Sequence, residues 1–310
     1  MITVGGFNTS VDKTLELDVL QPGAVHRVRG VQSWPGGKGL HVALTVAALG
    51  EPVHLVGLID AAHRCEFESA LRARGVAFTG VDARGALRTC LALRDQQGAR
   101  ITEILEPGPH VDADTREELC ARFLALARES AVAVLSGSTP PGFHEGAYGE
   151  LVASLRDTGI PCLVDASGGL LRRAVEARPF LVKPNREEAA ALSGQPVDGT
   201  SAAVRVARAL AARGVGMPVV SLGAAGAVAV SEGRAVHASV SVPGARHPVG
   251  SGDCLLGGVA VALARKEVLE DVLRLGVACG AANTLSAETG WVRREDVDAL
   301  RLRVASVPIA

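Results

Sequence analysis

The sequence predicts an α/β fold with a mainly parallel central sheet and a small separate β-sheet. Two observations predict it. Short apolar runs alternate with amphipathic stretches along most of the chain, the pattern of repeated βαβ units. Two segments break that rhythm and alternate apolar and polar residues with period two, as half-exposed strands do. Apolar residues make up 48% of the 310 residues but aromatics only 3%, so the core must be built from Ala, Val and Leu. That length suits one large domain spanning 1–310 with an elaboration.

Taken in order, buried strands are expected at 53–59, 131–135, 162–164, 180–182 and 218–222. Helices are expected at 39–49, 64–74, 115–128, 146–157, 186–192, 202–213, 253–264 and 269–285, each with apolar residues three and four apart. Glycine or proline marks most joins. The two alternating segments run about 12–32 and 88–105, the second with a Gln96-Gln97-Gly98 turn. They can form one sheet projecting from the body, able to close over a cleft as a lid.

Charge excludes some functions. The 32 basic and 33 acidic residues leave a formal net charge of −1, so nothing argues for nucleic acid or a membrane surface. The six cysteines, at 65, 90, 120, 162, 254 and 279, have no close patterned spacing and read as free thiols of a reducing cytoplasm. The start of the chain shows no signal peptide, and its most apolar run, 254–264, is too short for a bilayer. A cytoplasmic protein is expected.

Four motifs can carry chemistry. Pro248-Val249-Gly250-Ser251-Gly252-Asp253 is a glycine turn entering a helix. Such a turn directs backbone N–H groups at an anion, and a first-turn carboxylate beside it can accept a hydroxyl proton during phosphoryl transfer. The plain alternative is a tight turn with a capping Asp. Pro35-Gly36-Gly37-Lys38-Gly39 is a second glycine-rich helix start, without the spacing of a Walker A loop. It reads as a second anion site or a simple strand–helix turn. Lys183-Pro184-Asn185-Arg186-Glu187-Glu188 reads as a strand end and a helix cap, or as Asn185 and Glu188 beside a hydrated magnesium ion. Ser221-Leu222-Gly223-Ala224-Ala225-Gly226 is a strand end where ligands gather in open sheets, or a hairpin turn into a strand at 227–230.

In this order the motifs resemble the PfkB/ribokinase family of carbohydrate kinases, closest to the branch with 1-phosphofructokinase and tagatose-6-phosphate kinase. Glu106-Pro107-Gly108-Pro109, the run 136–142 and Asp165-Ala166-Ser167-Gly168 add to the likeness, which spans nearly the whole chain. The resemblance implies a three-layer α/β/α ribokinase-like domain with a β-sheet lid, often paired into a homodimer. It implies ATP and Mg2+ as cofactors and a sugar phosphate as acceptor. Asp253 becomes the base, and the amides of Gly250, Ser251 and Gly252 the anion hole. Lys183, Asn185, Ser221, Gly223, Gly226 and Asn283 would line the ATP site, with Glu188 acting through magnesium. Asp12, Gly37, Lys38, His41, Arg88 and Ser138 would face the sugar, with Lys38, Arg88 and Arg27 near its phosphate. A kinase for an unphosphorylated sugar, nucleoside or polyol, and a non-catalytic sugar-phosphate sensor, are the alternatives.

The chain also departs from the family pattern. Asn8-Thr9-Ser10-Val11-Asp12 stands for Asn-Pro-Ala-x-Asp, His41 for an asparagine, and Leu87-Arg88-Thr89-Cys90 for Thr-Arg-x-Asn. His247-Pro248 precedes the Gly-Ser-Gly-Asp turn, and Cys254 follows it. Two of these changes remove an asparagine expected at the sugar hydroxyls. They leave the phosphoryl-moving groups intact and the acceptor open.

Overall fold

The computed structural model describes residues 1–97 and 100–309. Ten helices and fourteen strands occur among them. The central sheet has six parallel strands in the order β10-β9-β8-β1-β4-β5. Its spine is β1 (Ile2–Gly5), between β4 (Val53–Ile59) and β8 (Val132–Ser136). Beyond β4 lies β5 (Val76–Asp82), and beyond β8 lie β9 (Cys162–Asp165) and β10 (Leu181–Val182). Strands covered on both faces need near-continuous apolar runs, and β8 is buried throughout. β1 does not advertise itself this way, because it carries Thr3 and ends in glycine. The buried Thr3 hydroxyl is satisfied at 2.7 Å by Ser130 Oγ.

Helices cover both faces. α1 (Lys38–Ala48) and α8 (Ser251–Ala264) pack together against β1 and β8. On the other side, α3 (Ala113–Ala127) covers β1, β4 and β5, and α4 (Ala147–Arg156) covers β9. This is the three-layer arrangement expected. α2 (Arg64–Ala73) packs on β5, and α5 (Gly168–Glu176) on α4 and β9.

A four-stranded antiparallel sheet extends the body: β11 (Val219–Ser221), β12 (Ala227–Ser231), β13 (Arg234–Ser239) and β14 (Ala305–Ile309). The Ser221 N–H donates to Pro184 O at 3.0 Å, which ties β11 to the chain leaving β10. Helices α6 (Arg186–Ser193), α7 (Thr200–Ala212), α9 (Leu269–Asn283) and α10 (Arg294–Arg301) complete this half.

The two alternating segments do pair. β2 (Ser10–Leu17) lies between β3 (Gly30–Gly36) and β6 (Arg88–Asp95), and β7 (Arg100–Leu105) forms the far edge. The β2–β6 pairing is parallel, the other two antiparallel. Gln96 and Gln97 form the expected turn, while Gly98 lies outside the described residues. Among the described residues no helix is long and apolar enough to cross a membrane. All six cysteines are free.

Candidate active site

Parallel strands end together, so β8, β9 and β10 deliver Ser136, Asp165 and Lys183 to one rim of the sheet. α8 begins at the same rim. Gly250 precedes it with φ 81°, in the left-handed region. A side chain at 250 would also put its Cβ 2.6 Å from the Gly290 nitrogen. Glycine is therefore required here twice over. The turn is braced from behind by Asn283, whose Nδ2 donates to Val249 O at 2.8 Å and to Ser251 Oγ at 3.0 Å. Asn283 Oδ1 accepts from the Gly290 N–H at 2.8 Å. Asn283 is fully buried, and these bonds build the turn.

Asp253 stands in the first turn of α8, almost completely buried. The amides beside it differ from the expected set. The Ser251 N–H closes the turn onto Pro248 O at 3.0 Å. Among the described residues the N–H groups of Gly250, Gly252 and Asp253 have no backbone acceptor, and these can hold an anion at the helix end.

Lys183 approaches this turn from β10. A Cβ on Gly252 would lie 3.3 Å from Lys183 Nζ, so the ammonium abuts the anion turn. It is also paired at 3.2 Å with Asp165 Oδ2, and both side chains are buried. Lys38 opens α1, with Gly37 as its cap, and brings a second helix N-terminus and a second ammonium. Asp165 is the main influence holding Lys38 above the ordinary lysine range, against burial and with Asp253 and Glu188 adding. Lys38 thus stays charged at every physiological pH.

Across the cleft, Asp12 needs the space left by a glycine. A Cβ at Gly36 would sit 2.0 Å from Asp12 Cγ. Ser10 Oγ donates to Asp12 Oδ1 at 2.6 Å. Burial opposes ionisation of Asp12, but bonding and charge from His41 prevail and lower its pKa. His41 is buried between Asp12 and Asp253, with Nδ1 2.9 Å from Asp253 Oδ2 and Nε2 3.3 Å from Asp12 Oδ2. Ser138 Oγ accepts from Asn8 Nδ2 at 3.1 Å. Arg88 is mostly occupied: Nε donates to Asn8 O at 3.0 Å and an NH group reaches Glu106 O at 3.4 Å. Its guanidinium therefore braces the lid root as well as facing the cleft. Arg27 lies on the exposed β2–β3 connection and pairs with none of these residues.

Toward the antiparallel sheet, Asn185 and Glu188 form a reciprocal capping box on α6. Glu188 N–H donates to Asn185 Oδ1 at 2.8 Å, and Asn185 N–H to Glu188 Oε2 at 2.9 Å. Burial, and then the nearby Asp165 charge, raise the Glu188 pKa despite the Asn185 amide. Gly223 starts a short 3-10 turn and Gly226 ends it at φ 85°, so this motif is also the hairpin joining β11 to β12. Among the described residues no three His, Cys, Asp or Glu side chains gather as a metal site.

Two contributors are not evident from the sequence. Asp165 stands in a conspicuous run, yet nothing local to that run pairs it with Lys183. Glu103, on β7, has its pKa raised first by burial and then by the charges of Asp253 and Asp12, so it faces the same cleft. Its place on one face with Ile101 and Leu105, opposite Thr102 and Ile104, is visible in the sequence; which face meets the cleft is not.

A family profile described as pfkB family carbohydrate kinase matches residues 6–292. A 1-phosphofructokinase of Xanthomonas campestris pv. campestris is 34% identical over 97% of this chain and 96% of its own length. Phosphofructokinase-2 from Escherichia coli, in complex with fructose-6-phosphate, superposes with a TM-score of 0.86 at 26% identity over 97% of this chain and 98% of that one. A possible 1-phosphofructokinase from Thermotoga maritima has the same fold, with a TM-score of 0.88 at 23% identity over all of both chains.

Proposed function

The chain belongs to the pfkB family of carbohydrate kinases, and we propose that it transfers the γ-phosphoryl of ATP to a hydroxyl of a sugar phosphate, giving a bisphosphate and ADP. The observation that carries this is Asp253, buried beside the partnerless amides of Gly250, Gly252 and its own N–H, with Lys183 Nζ against the same turn.

Phosphoryl transfer asks the protein mainly for positioning and for charge where charge moves. The acceptor hydroxyl donates to Asp253, whose Oδ2 is taken by His41 and whose Oδ1 is free to accept the proton. The amides and Lys183 hold the oxygens of the moving phosphoryl. Lys38, held in its charged form, meets an anionic acceptor. A neutral sugar would offer that ammonium no opposite charge of its own. Asp12 and Ser138 orient the sugar hydroxyls. Ser221, Gly223 and Gly226 flank the nucleotide along the rim below β11.

Magnesium would neutralise the ATP phosphates. Glu188 suits that role, because one oxygen closes the capping box and the other is free, and hydrated magnesium needs few protein ligands. The exposed apolar side chains Val31 and Ile104, on the lid face away from Asp12, suit a homodimer joined through it. A reducing cytoplasm, with six free thiols in the chain, is the proposed location.

The test is a screen of purified protein with ATP against fructose 1-phosphate, fructose 6-phosphate, tagatose 6-phosphate and the free sugars, reading ADP and the phosphorylated product. Turnover on a sugar phosphate at least tenfold above any free sugar is expected. Preference for an unphosphorylated acceptor refutes the proposed substrate class.

A further inference from the structure

His41 occupies a position where the family pattern has an amide, yet both of its ring nitrogens are turned toward carboxylates of the protein. A neutral imidazole has one N–H, so it can donate to Asp12 or to Asp253 but sets a lone pair against the other. An imidazolium donates to both. Neither carboxylate can easily leave. Asp12 is held on its second oxygen by Ser10, and Asp253 is fixed in the first turn of α8. The ring is held too: a Cβ at Gly290 would lie 2.1 Å from it, so the backbone of residue 290 packs against its face.

We propose that His41 is a positioning residue, a doubly protonated clamp that joins Asp12 to Asp253 and leaves only Oδ1 of Asp253 to receive the acceptor proton. This rests on Asp253 acting as the base. The groups around the ring are consistent with a retained proton. Asp12 faces it from β2, Asp253 from α8 and Glu103 from β7; Lys38 lies one turn earlier on α1, and Arg88 and the Cys90 thiol face the Asp12 carboxylate from β6. In the loop that carries Gly290, Glu288 is already paired with Arg74. Burial works against the charged ring, but the bonds to Asp12 and Asp253 outweigh it and raise its pKa to about 10. The clamp is therefore intact through neutral pH and is lost as pH rises through about 10.

The experiment combines NMR of the imidazole nitrogens with pH–rate profiles. At about pH 8.5 an unperturbed histidine is neutral. One histidine signal, missing from His41→Gln, should then show protons on both nitrogens and titrate near pH 10. A ring protonated on one nitrogen only overturns the clamp. In kinetics, wild-type kcat/KM should fall about tenfold in all across that titration and then level off. His41→Gln should be roughly tenfold slower near neutrality, keep its KM for ATP, and lack this alkaline limb. An unchanged profile in folded His41→Gln overturns the positioning role. His41→Asn serves as the second variant should the glutamine form melt early. The ring measurement needs no turnover, so it decides the clamp even if the protein phosphorylates no sugar phosphate. Failure of the inference and failure of the proposed reaction are thus separate results.

Discussion

Replacing Lys183 with methionine separates what this lysine does for folding from what it does for transfer. Its Nζ lies 3.2 Å from Asp165 Oδ2, with side chains only 5% and 2% exposed. At that distance, and at an effective dielectric of about 20, the gross attraction is about 5 kcal/mol. The net value is smaller, because both groups were desolvated on folding. Removing one partner strands the other, and for buried pairs that costs about 3–5 kcal/mol. Lys183→Met should therefore lower stability by that much in urea unfolding. Asp165→Asn should cost a similar amount. The double variant should recover at least about 2 kcal/mol relative to additivity, because both members of the pair leave together. Turnover should stay low in the double variant, since the ammonium beside Gly252 is still missing. Additive losses of stability would refute the coupling. Restored turnover in the double variant would refute the catalytic placement of Lys183.

Two further outcomes follow from the geometry. Gly36→Ala puts a methyl where Asp12 Cγ now lies, so Asp12 must rotate away; KM for the sugar phosphate should rise about tenfold or more, with KM for ATP unchanged. Ile104→Glu, at an exposed lid position on the face away from Asp12, should convert a dimer to monomers in light scattering at unchanged helix content, whereas Glu295→Ala on α10, away from the lid, should not.

Elements are legible in the sequence wherever burial imposes a strong period or an apolar run. β8 and β9 are buried throughout, and α8 and α9 are long and apolar. β1 is hidden, being four residues with a threonine and a glycine, although this strand is the spine of the sheet. So are β5, β13, β14, α5 and α10. β14 is an exposed edge strand containing Pro308, and α10 has only Val297 and Leu300 buried, too few to set a clear stripe.

The site divides in the same way. The Gly-Ser-Gly-Asp turn is local, so its residues announce the helix start and the carboxylate together. The identity of the free amides is not local, because Ser251 N–H is taken by Pro248 O. The His41 clamp draws on β2, α1 and α8, and the Lys183–Asp165 pair on two neighbouring strands. Contacts between distant segments are set by the packing of the sheet, which one sequence does not display. Asn283 belongs to the non-local part as well: a polar residue late in α9, it holds the turn before α8 from inside.

Asp253 as the group that takes the hydroxyl proton underlies every step proposed for this site. Asp253→Asn keeps the shape of the site and removes the base. With ADP release followed at saturating ATP and sugar phosphate, kcat should fall about 10²- to 10⁴-fold while calorimetric affinities for both ligands stay within a few-fold. A kcat within tenfold of the unaltered protein, with both ligands still bound, would contradict it.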